Sequence, residues 1–159
     1  MEASMDIPKF LDLAVELETQ ISLLYDTIAK RSGDPPIATR LIALANEEHN
    51  HANVLRRGMK YYKELPGLFA GFAMDANEAE VGLLEARIFC ASLGQGKIPL
   101  IDGLKKMLEL EKRFERIHMG ASVTITEPSL KKLFATLTKG DQSHILVLQG
   151  LIESLGENV

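Results

Sequence analysis

Residues 13–25 read LAVELETQISLLY, and residues 106–118, ninety-three positions later, read KMLELEKRFERIH. Both stretches carry apolar residues at intervals of three and four, which is the spacing of an amphipathic helix. They also share the tripeptide Glu-Leu-Glu at the same offset, which aligns Glu18 with Glu111. The two stretches therefore predict two similar helices, each with an acidic residue next to an apolar face.

Glycine and proline residues divide the chain into four long helical segments and one shorter segment. We expect helices over about 6–31, 35–65, 77–94, 98–122 and 126–155, with caps such as Asp34-Pro35 at their starts. The β-branched run 123–126 is too short to indicate a strand. The sequence predicts an all-α fold in one domain, residues 1–159. An up-down four-helix bundle would consist of a hairpin over 6–64, a connector over 65–97 that contains a short helix, and a hairpin over 98–155.

Composition excludes several classes of protein. The 159 residues carry 22 acidic and 18 basic side chains, a net charge of −4, which gives no electrostatic footprint for nucleic acid. No apolar run is long enough for a membrane span, and the first ten residues do not resemble a signal peptide. One cysteine, Cys90, leaves no internal disulfide and no multi-cysteine metal site. We expect a cytoplasmic protein with neither a nucleic-acid nor a membrane partner.

The shift of ninety-three residues also aligns polar residues of the second helix of each hairpin. Glu48 aligns with Asp141, and His51 aligns with His144. In each hairpin the two acids are fifteen residues from the turn on either side, so they lie at the same height, roughly 22 Å from it. Each histidine is three residues after an acid and shares its helix face. Six side chains are thus expected at one level of the bundle: Glu18, Glu48, His51, Glu111, Asp141 and His144.

These six side chains have the charge of a metal centre. Four carboxylates and two neutral imidazoles balance two divalent cations, whereas four buried carboxylates without metal would repel each other and take up protons. Oxygen-rich sites with one imidazole for each metal suit iron or manganese better than structural zinc.

A glutamate on one helix and Glu-x-x-His on the next, present twice, resembles the ferritin-like di-iron carboxylate proteins. Glu18 followed by Tyr25 seven residues later, and then by Glu48-x-x-His51, resembles the rubrerythrin branch of that family. The resemblance covers about residues 6–155. It implies a ferritin-like bundle in which the six side chains hold two iron ions, with manganese or zinc as possible substitutes. Glu48 and Asp141 are expected to bridge the two ions.

The resemblance also implies a function. Rubrerythrin-like proteins are dinuclear non-haem iron oxidoreductases of the peroxidase or ferroxidase type, which reduce peroxide or dioxygen. This chain would form a homodimer through its connector and would take electrons from a separate donor such as a rubredoxin-like protein. The alternative is a helical bundle without turnover, which sequesters iron, binds a metal at a degenerate site or serves an interaction.

The chain departs from the rubrerythrin pattern at several places. It has no four-cysteine iron domain, and Phe114 stands where a further glutamate ligand is often found. Asp141 stands where glutamate is usual. Tyr25 is expected to bond a ligand carboxylate, or else to be an ordinary core tyrosine. His118, at the position equivalent to Tyr25, is either a further ligand, a group that orients a ligand or a hydrogen-bonded core histidine.

The neighbours of the second helix's motif are expected to lie outside the centre. Glu47 and His49 point roughly 100° away from the adjacent residues on the helix, which predicts surface positions for both.

Overall fold

The computed structural model describes residues 6–72, 76–96 and 98–157. Within these residues it contains five α-helices, one 3₁₀ helix and no strand, so the all-α prediction is confirmed. The bounds of all five helices lie within two residues of the predicted ones. The helices are α1 (Ile7–Arg31), α2 (Pro35–Glu64), α3 (Ala76–Gln95), α4 (Leu100–Thr124) and α5 (Pro128–Ser154), and the 3₁₀ helix covers Pro66–Phe69.

Short turns with strong caps join the helices of each hairpin. The carboxylate of Asp34 accepts a hydrogen bond of 3.1 Å from the backbone N–H of Ile37, which begins α2. Glu127 begins α5 in the same way, with a bond of 2.8 Å from the N–H of Leu130. Gly33, at a φ of 65°, lies in the turn between α1 and α2 in the left-handed region that glycine adopts easily. The caps satisfy N–H groups that helix starts leave unpaired.

The helices pack into one bundle around a continuous apolar core. Helix α1 lies along α2, and α4 lies along α5. The two hairpins meet where α2 contacts α5 and α1 contacts α4, while α3 covers α1 and also reaches α4. Large side chains of this core are completely buried, among them Phe10, Leu24, Leu41, Leu104 and Leu137.

Helix α3 has two different faces. One face packs into the core through Ala79, Leu83, Ala86, Phe89 and Leu93. The opposite face leaves Val81, Leu84 and Ile88 exposed to solvent, the last two at 57% and 58%. Helix α3 is therefore held to the bundle and still presents an apolar stripe outward.

Among the described residues, no helix is both long and apolar enough to cross a membrane.

Candidate metal centre

The six side chains that the repeat singles out meet inside the bundle. Helices α1, α2, α4 and α5 contribute to the same cluster, as the equal spacing from the turns predicts. Five of the six side chains are buried, and the sixth, His51, is 13% exposed. A buried cluster of four acids in a core of leucine and phenylalanine is costly unless cations or protons neutralise it.

The cluster divides into two overlapping groups, each able to hold a metal ion. In each group, one ligand atom from every residue lies within 4.8 Å of the others. Glu48 and Asp141 belong to both groups, which is where two bridging carboxylates would stand. The first group consists of Glu18, Glu48, His51 and Asp141, and the second of Glu48, Glu111, Asp141 and His144.

Each of the four acids has one buried oxygen without a hydrogen bond from the described residues. Two of these oxygens, Glu111 Oε2 and Asp141 Oδ1, also have no ion-pair partner in the described part of the chain. The other two, Glu18 Oε1 and Glu48 Oε1, lie 3.2 Å and 2.7 Å from histidine nitrogens but are not aligned for a hydrogen bond. Free lone pairs that converge in a dry core are the donor set that hard cations take, so the residues present fit metal ions.

The two histidines of the Glu-x-x-His pattern turn the same nitrogen inward. Nδ1 of His51 lies 3.1 Å from Glu48 Oε2. Nδ1 of His144 lies 2.7 Å from Glu48 Oε1 and 3.3 Å from Glu111 Oε1. Their rings stack with centroids 5.4 Å apart. One imidazole nitrogen is thus available to each group, and both adjoin a shared carboxylate.

Tyr25 and His118 contact the ligand acids directly. The Tyr25 hydroxyl donates a hydrogen bond to Oε1 of Glu111. His118 lies 2.5 Å from Asp141 Oδ2 through Nδ1 and 3.2 Å from Glu18 Oε1 through Nε2. Both side chains are buried, so neither is a tyrosine or histidine with its polar end in water. They occupy positions from which carboxylates can be oriented.

Burial dominates the pKa values of the acids. Burial raises the pKa of Glu18 well above its usual range, and the negative charge of Glu48 adds to this. Burial and then the charge of Glu111 raise the pKa of Glu48 to about 8. The pKa of Asp141 is also raised by burial, although the charge of His118 opposes the shift. Without a cation, these acids therefore tend to hold protons.

The pKa values of His118 and His144 are raised, although burial alone would lower them. Burial would lower the pKa of His144, but the carboxylates of Glu111 and Glu48 beside its ring raise it to about 12. The pKa of His118 rises to about 9 because Asp141 outweighs the same burial effect. Glu111 is the one acid whose pKa is lowered, since its contacts with His144 overcome burial. Protons on these histidines stand in for the positive charge that metal ions would bring.

The sequence-based prediction of a surface position for Glu47 is incomplete. Its carboxylate is half-exposed, yet Oε2 lies 2.7 Å from Nε2 of His144, the outward nitrogen of that ring. The contact joins α2 to α5, so spacing within one hairpin gives no sign of it. The sequence offers one indication that Glu47 lies at the edge of the site: it directly precedes Glu48, which both ligand groups share.

Two other positions that the sequence singles out belong to neither ligand group. His49 is exposed on α2, as the sequence predicts. Phe114 is buried on α4 and supplies no ligand atom where a further glutamate is often found. Among the described residues, the donors are those of the two groups, with His118, Tyr25 and Glu47 in contact with them.

Comparisons of the chain with family models, with curated proteins and with solved structures each found no match.

Proposed function

We propose that this protein is a dinuclear non-haem iron oxidoreductase with a ferritin-like bundle, similar to the rubrerythrins, which reduces peroxide or dioxygen. The observation that carries the proposal is the pair of overlapping ligand groups that share Glu48 and Asp141 in a buried setting. Two groups with two common carboxylates are the arrangement by which two metal ions are held side by side and bridged.

The ligand set supports iron as the resident metal. Each group offers three carboxylates and one imidazole, a hard donor set without sulfur. Iron or manganese suit such donors, and zinc would fit less well than at the cysteine-rich structural sites that it favours. Two ferrous ions held there would supply two electrons, which with two protons from water reduce hydrogen peroxide to water or dioxygen to hydrogen peroxide.

The chain's own residues prepare the site for this chemistry. Tyr25 bonds Glu111 and His118 bonds Asp141, so two of the acids are oriented before a metal arrives. The apolar core around the cluster excludes bulk water and strengthens these contacts. These 159 residues contain one cysteine, Cys90, and so no four-cysteine iron site. The electron donor that the rubrerythrin resemblance suggests is a rubredoxin-like protein.

The alternative is a metal-binding or structural bundle without turnover. A specific observation favours it: His118 lies 2.5 Å from Asp141 Oδ2 and His144 lies 2.7 Å from Glu48 Oε1, so protons on these two histidines would neutralise part of the cluster without metal. A protein of this kind would sequester iron, or would retain the cluster only as part of its core.

Turnover of hydrogen peroxide separates these two functions. The full chain is loaded with Fe²⁺ without oxygen, and peroxide consumption is followed in the presence of excess chemical reductant. An oxidoreductase consumes many equivalents of peroxide per chain, and Glu48→Gln abolishes this because both ligand groups lose a carboxylate. Glu109→Gln, the same substitution at an exposed position of α4, serves as the control and should retain activity. Two bound irons that are oxidised once and never cycle would favour the sequestering alternative.

A further inference from the structure

Positions 47 and 140 are equivalent in the two hairpins, ninety-three residues apart. Each comes directly before a shared carboxylate, and each faces the histidine of the other hairpin. Position 47 is glutamate and position 140 is glycine. The two residues could hardly differ more in size and charge, so the pseudo-symmetric centre has two unlike ends.

Glu47 fixes the ring of His144. The 2.7 Å contact engages Nε2, while Nδ1 of the same ring points to the cluster, 2.7 Å from Glu48. A carboxylate on the outer nitrogen of a metal-binding histidine sets the tautomer and orientation of the ring and makes the inner nitrogen a stronger donor. The buried His144 ring is thus held at both nitrogens, by Glu47 and by Glu48, in an orientation suited to binding a metal ion.

Gly140 provides the space in which His51 lies. A Cβ at position 140 would be 2.5 Å from both Cε1 and Nε2 of the His51 ring, closer than side chains approach. The φ angle of Gly140 is not positive, so its backbone conformation does not require glycine. Glycine within a helix is otherwise unfavourable relative to alanine. The remaining reason for glycine at this position is the closeness of the ring.

His51 therefore lacks the support that His144 has. Within residues 6–72, 76–96 and 98–157, its Nε2 has no hydrogen-bond partner. Its side chain is 13% exposed, whereas that of His144 is 0% exposed. A histidine that touches a glycine and solvent on its outer edge is held less firmly than one that is clamped by a carboxylate.

We propose that Glu47 and Gly140 make the two metal positions unequal, with a tightly held ion at His144 and an exchangeable ion at His51. This inference rests on the proposed function, because it assumes that the centre binds two ions. Glu47 is a positioning residue that acts through His144. Gly140 keeps the His51 ring in place by leaving room for it.

Titration of the metal-free full chain with Co²⁺ tests the role of Gly140, with equilibrium dialysis for stoichiometry and visible absorption for the ligand environment. Wild-type protein should bind two ions of different affinity. Gly140→Ala should bind one, because the His51 ring has to leave its place, and that ring can move without unfolding α5. The matched control is Gly150→Ala in the same helix, where a Cβ meets nothing within 4 Å. The control should bind two ions as the wild type does.

A second pair of variants keeps the test decisive if Gly140→Ala folds poorly. His51→Ala should also bind one ion, and Gly140→Ala added to His51→Ala should change neither the number of ions nor their affinity. Any additional loss of binding in the double variant would mean that residue 140 acts on something other than His51.

Glu47→Gln tests the other end of the centre. The stoichiometry should stay at two while the affinity for the tighter ion falls by roughly 10- to 100-fold, as is typical when the orienting partner of a histidine ligand is removed. Glu47→Asp should recover part of the loss, since it keeps the carboxylate. A purely structural role for Glu47 would lower stability without changing the affinity of one ion selectively.

The outcomes distinguish the inference from the proposed function. Two ions in the wild type together with two unchanged ions in Gly140→Ala, or an unchanged tight affinity in Glu47→Gln, would overturn the inference and leave the proposed di-metal function standing. A folded wild-type protein that binds no ion would refute both.

Discussion

At the scale of single residues, contacts between the hairpins hold the cluster together. Tyr25 on α1 bonds Glu111 on α4, and at the equivalent position His118 on α4 contacts Glu18 on α1. Glu47 on α2 contacts His144 on α5 in the same manner. Each hairpin thus orients the acids or histidine of the other. The site is complete only when both hairpins are docked.

Removing one such contact should weaken metal binding without removing a ligand. Tyr25→Phe deletes the hydroxyl that donates to Glu111 and leaves the ring in the core. We expect a folded protein that still binds two Co²⁺ ions, with the affinity of the Glu111 group lowered by up to roughly 10- to 100-fold. Tyr61→Phe, at an exposed position of α2, is the control and should have no effect. Unchanged affinity in Tyr25→Phe would mean that Tyr25 is a core tyrosine without influence on the metal centre.

At the scale of the helices, local signals define where each element begins. Asp34 and Glu127 each cap a helix with proline in its first turn, and these signals are readable from the sequence. The start of α2 matters for the site because it sets the height of Glu48 opposite Glu18. A capping residue far from the cluster therefore helps to align it.

Loss of the Asp34 cap should destabilise the metal-free chain. Asp34→Ala leaves the N–H of Ile37 without its acceptor, and we expect a loss of about 1 kcal/mol in the free energy of unfolding. Urea denaturation monitored by circular dichroism measures it. Asp12→Ala, at an exposed position inside α1, should be neutral or slightly stabilising, since alanine is the better helix former. Equal stability of the two variants would show that the cap contributes nothing.

The sequence predicts what depends on periodicity and misses what depends on the docking of the hairpins. Helix bounds and the meeting of Glu18 with Glu48 follow from 1.5 Å per residue and a turn in the middle. The contact of Glu47 with His144 depends on how α2 faces α5, which no spacing within a hairpin specifies. Spacing within a hairpin likewise does not specify that the His51 ring packs against Gly140.

The outward face of α3 illustrates the same limit. Leu84 and Phe89 are both apolar, yet the first is exposed and the second buried, because α1 and α4 decide which face is covered.

At the scale of the whole molecule, the buried cluster should make the metal-free protein sensitive to pH. Glu48 has a folded pKa of about 8 against an ordinary value of 4.5, and His144 and His118 have folded pKa values of about 12 and about 9 against 6.5. In all three cases the folded state binds protons more tightly than the unfolded chain. Stability contributed in this way is present below the ordinary pKa of each group, and it is lost as the pH rises from that value to the folded pKa.

We therefore expect the melting temperature of the metal-free protein to fall steadily between about pH 6 and pH 9. Glu111, whose pKa is lowered, has the opposite effect on stability, but only at pH values below its ordinary pKa of 4.5. Metal-loaded protein should lose this decline, because metal binding requires deprotonated ligands. Differential scanning calorimetry of both forms measures the effect. A metal-free protein that gains stability over this range would contradict the pKa directions.

The apolar stripe of α3 supports the expectation of a homodimer. Leu84 and Ile88 are exposed at 57% and 58%, together with Val81, on a helix whose other face is already packed. Leu84→Glu should give monomers that still bind two metal ions, because the ligands lie on other helices. Leu146→Glu, at an exposed position of α5, is the control and should leave the dimer intact. Wild-type protein that is monomeric at micromolar concentration by light scattering would refute this expectation.

The number of iron ions in each folded chain tests the central claim most directly. The full chain is loaded with Fe²⁺ without oxygen, freed of excess metal by gel filtration, and analysed for iron and protein. The overlapping groups that share Glu48 and Asp141 predict about two irons per chain. A chain that is folded by circular dichroism and consistently holds no iron would contradict the account, and the cluster would then be a proton-neutralised part of the core.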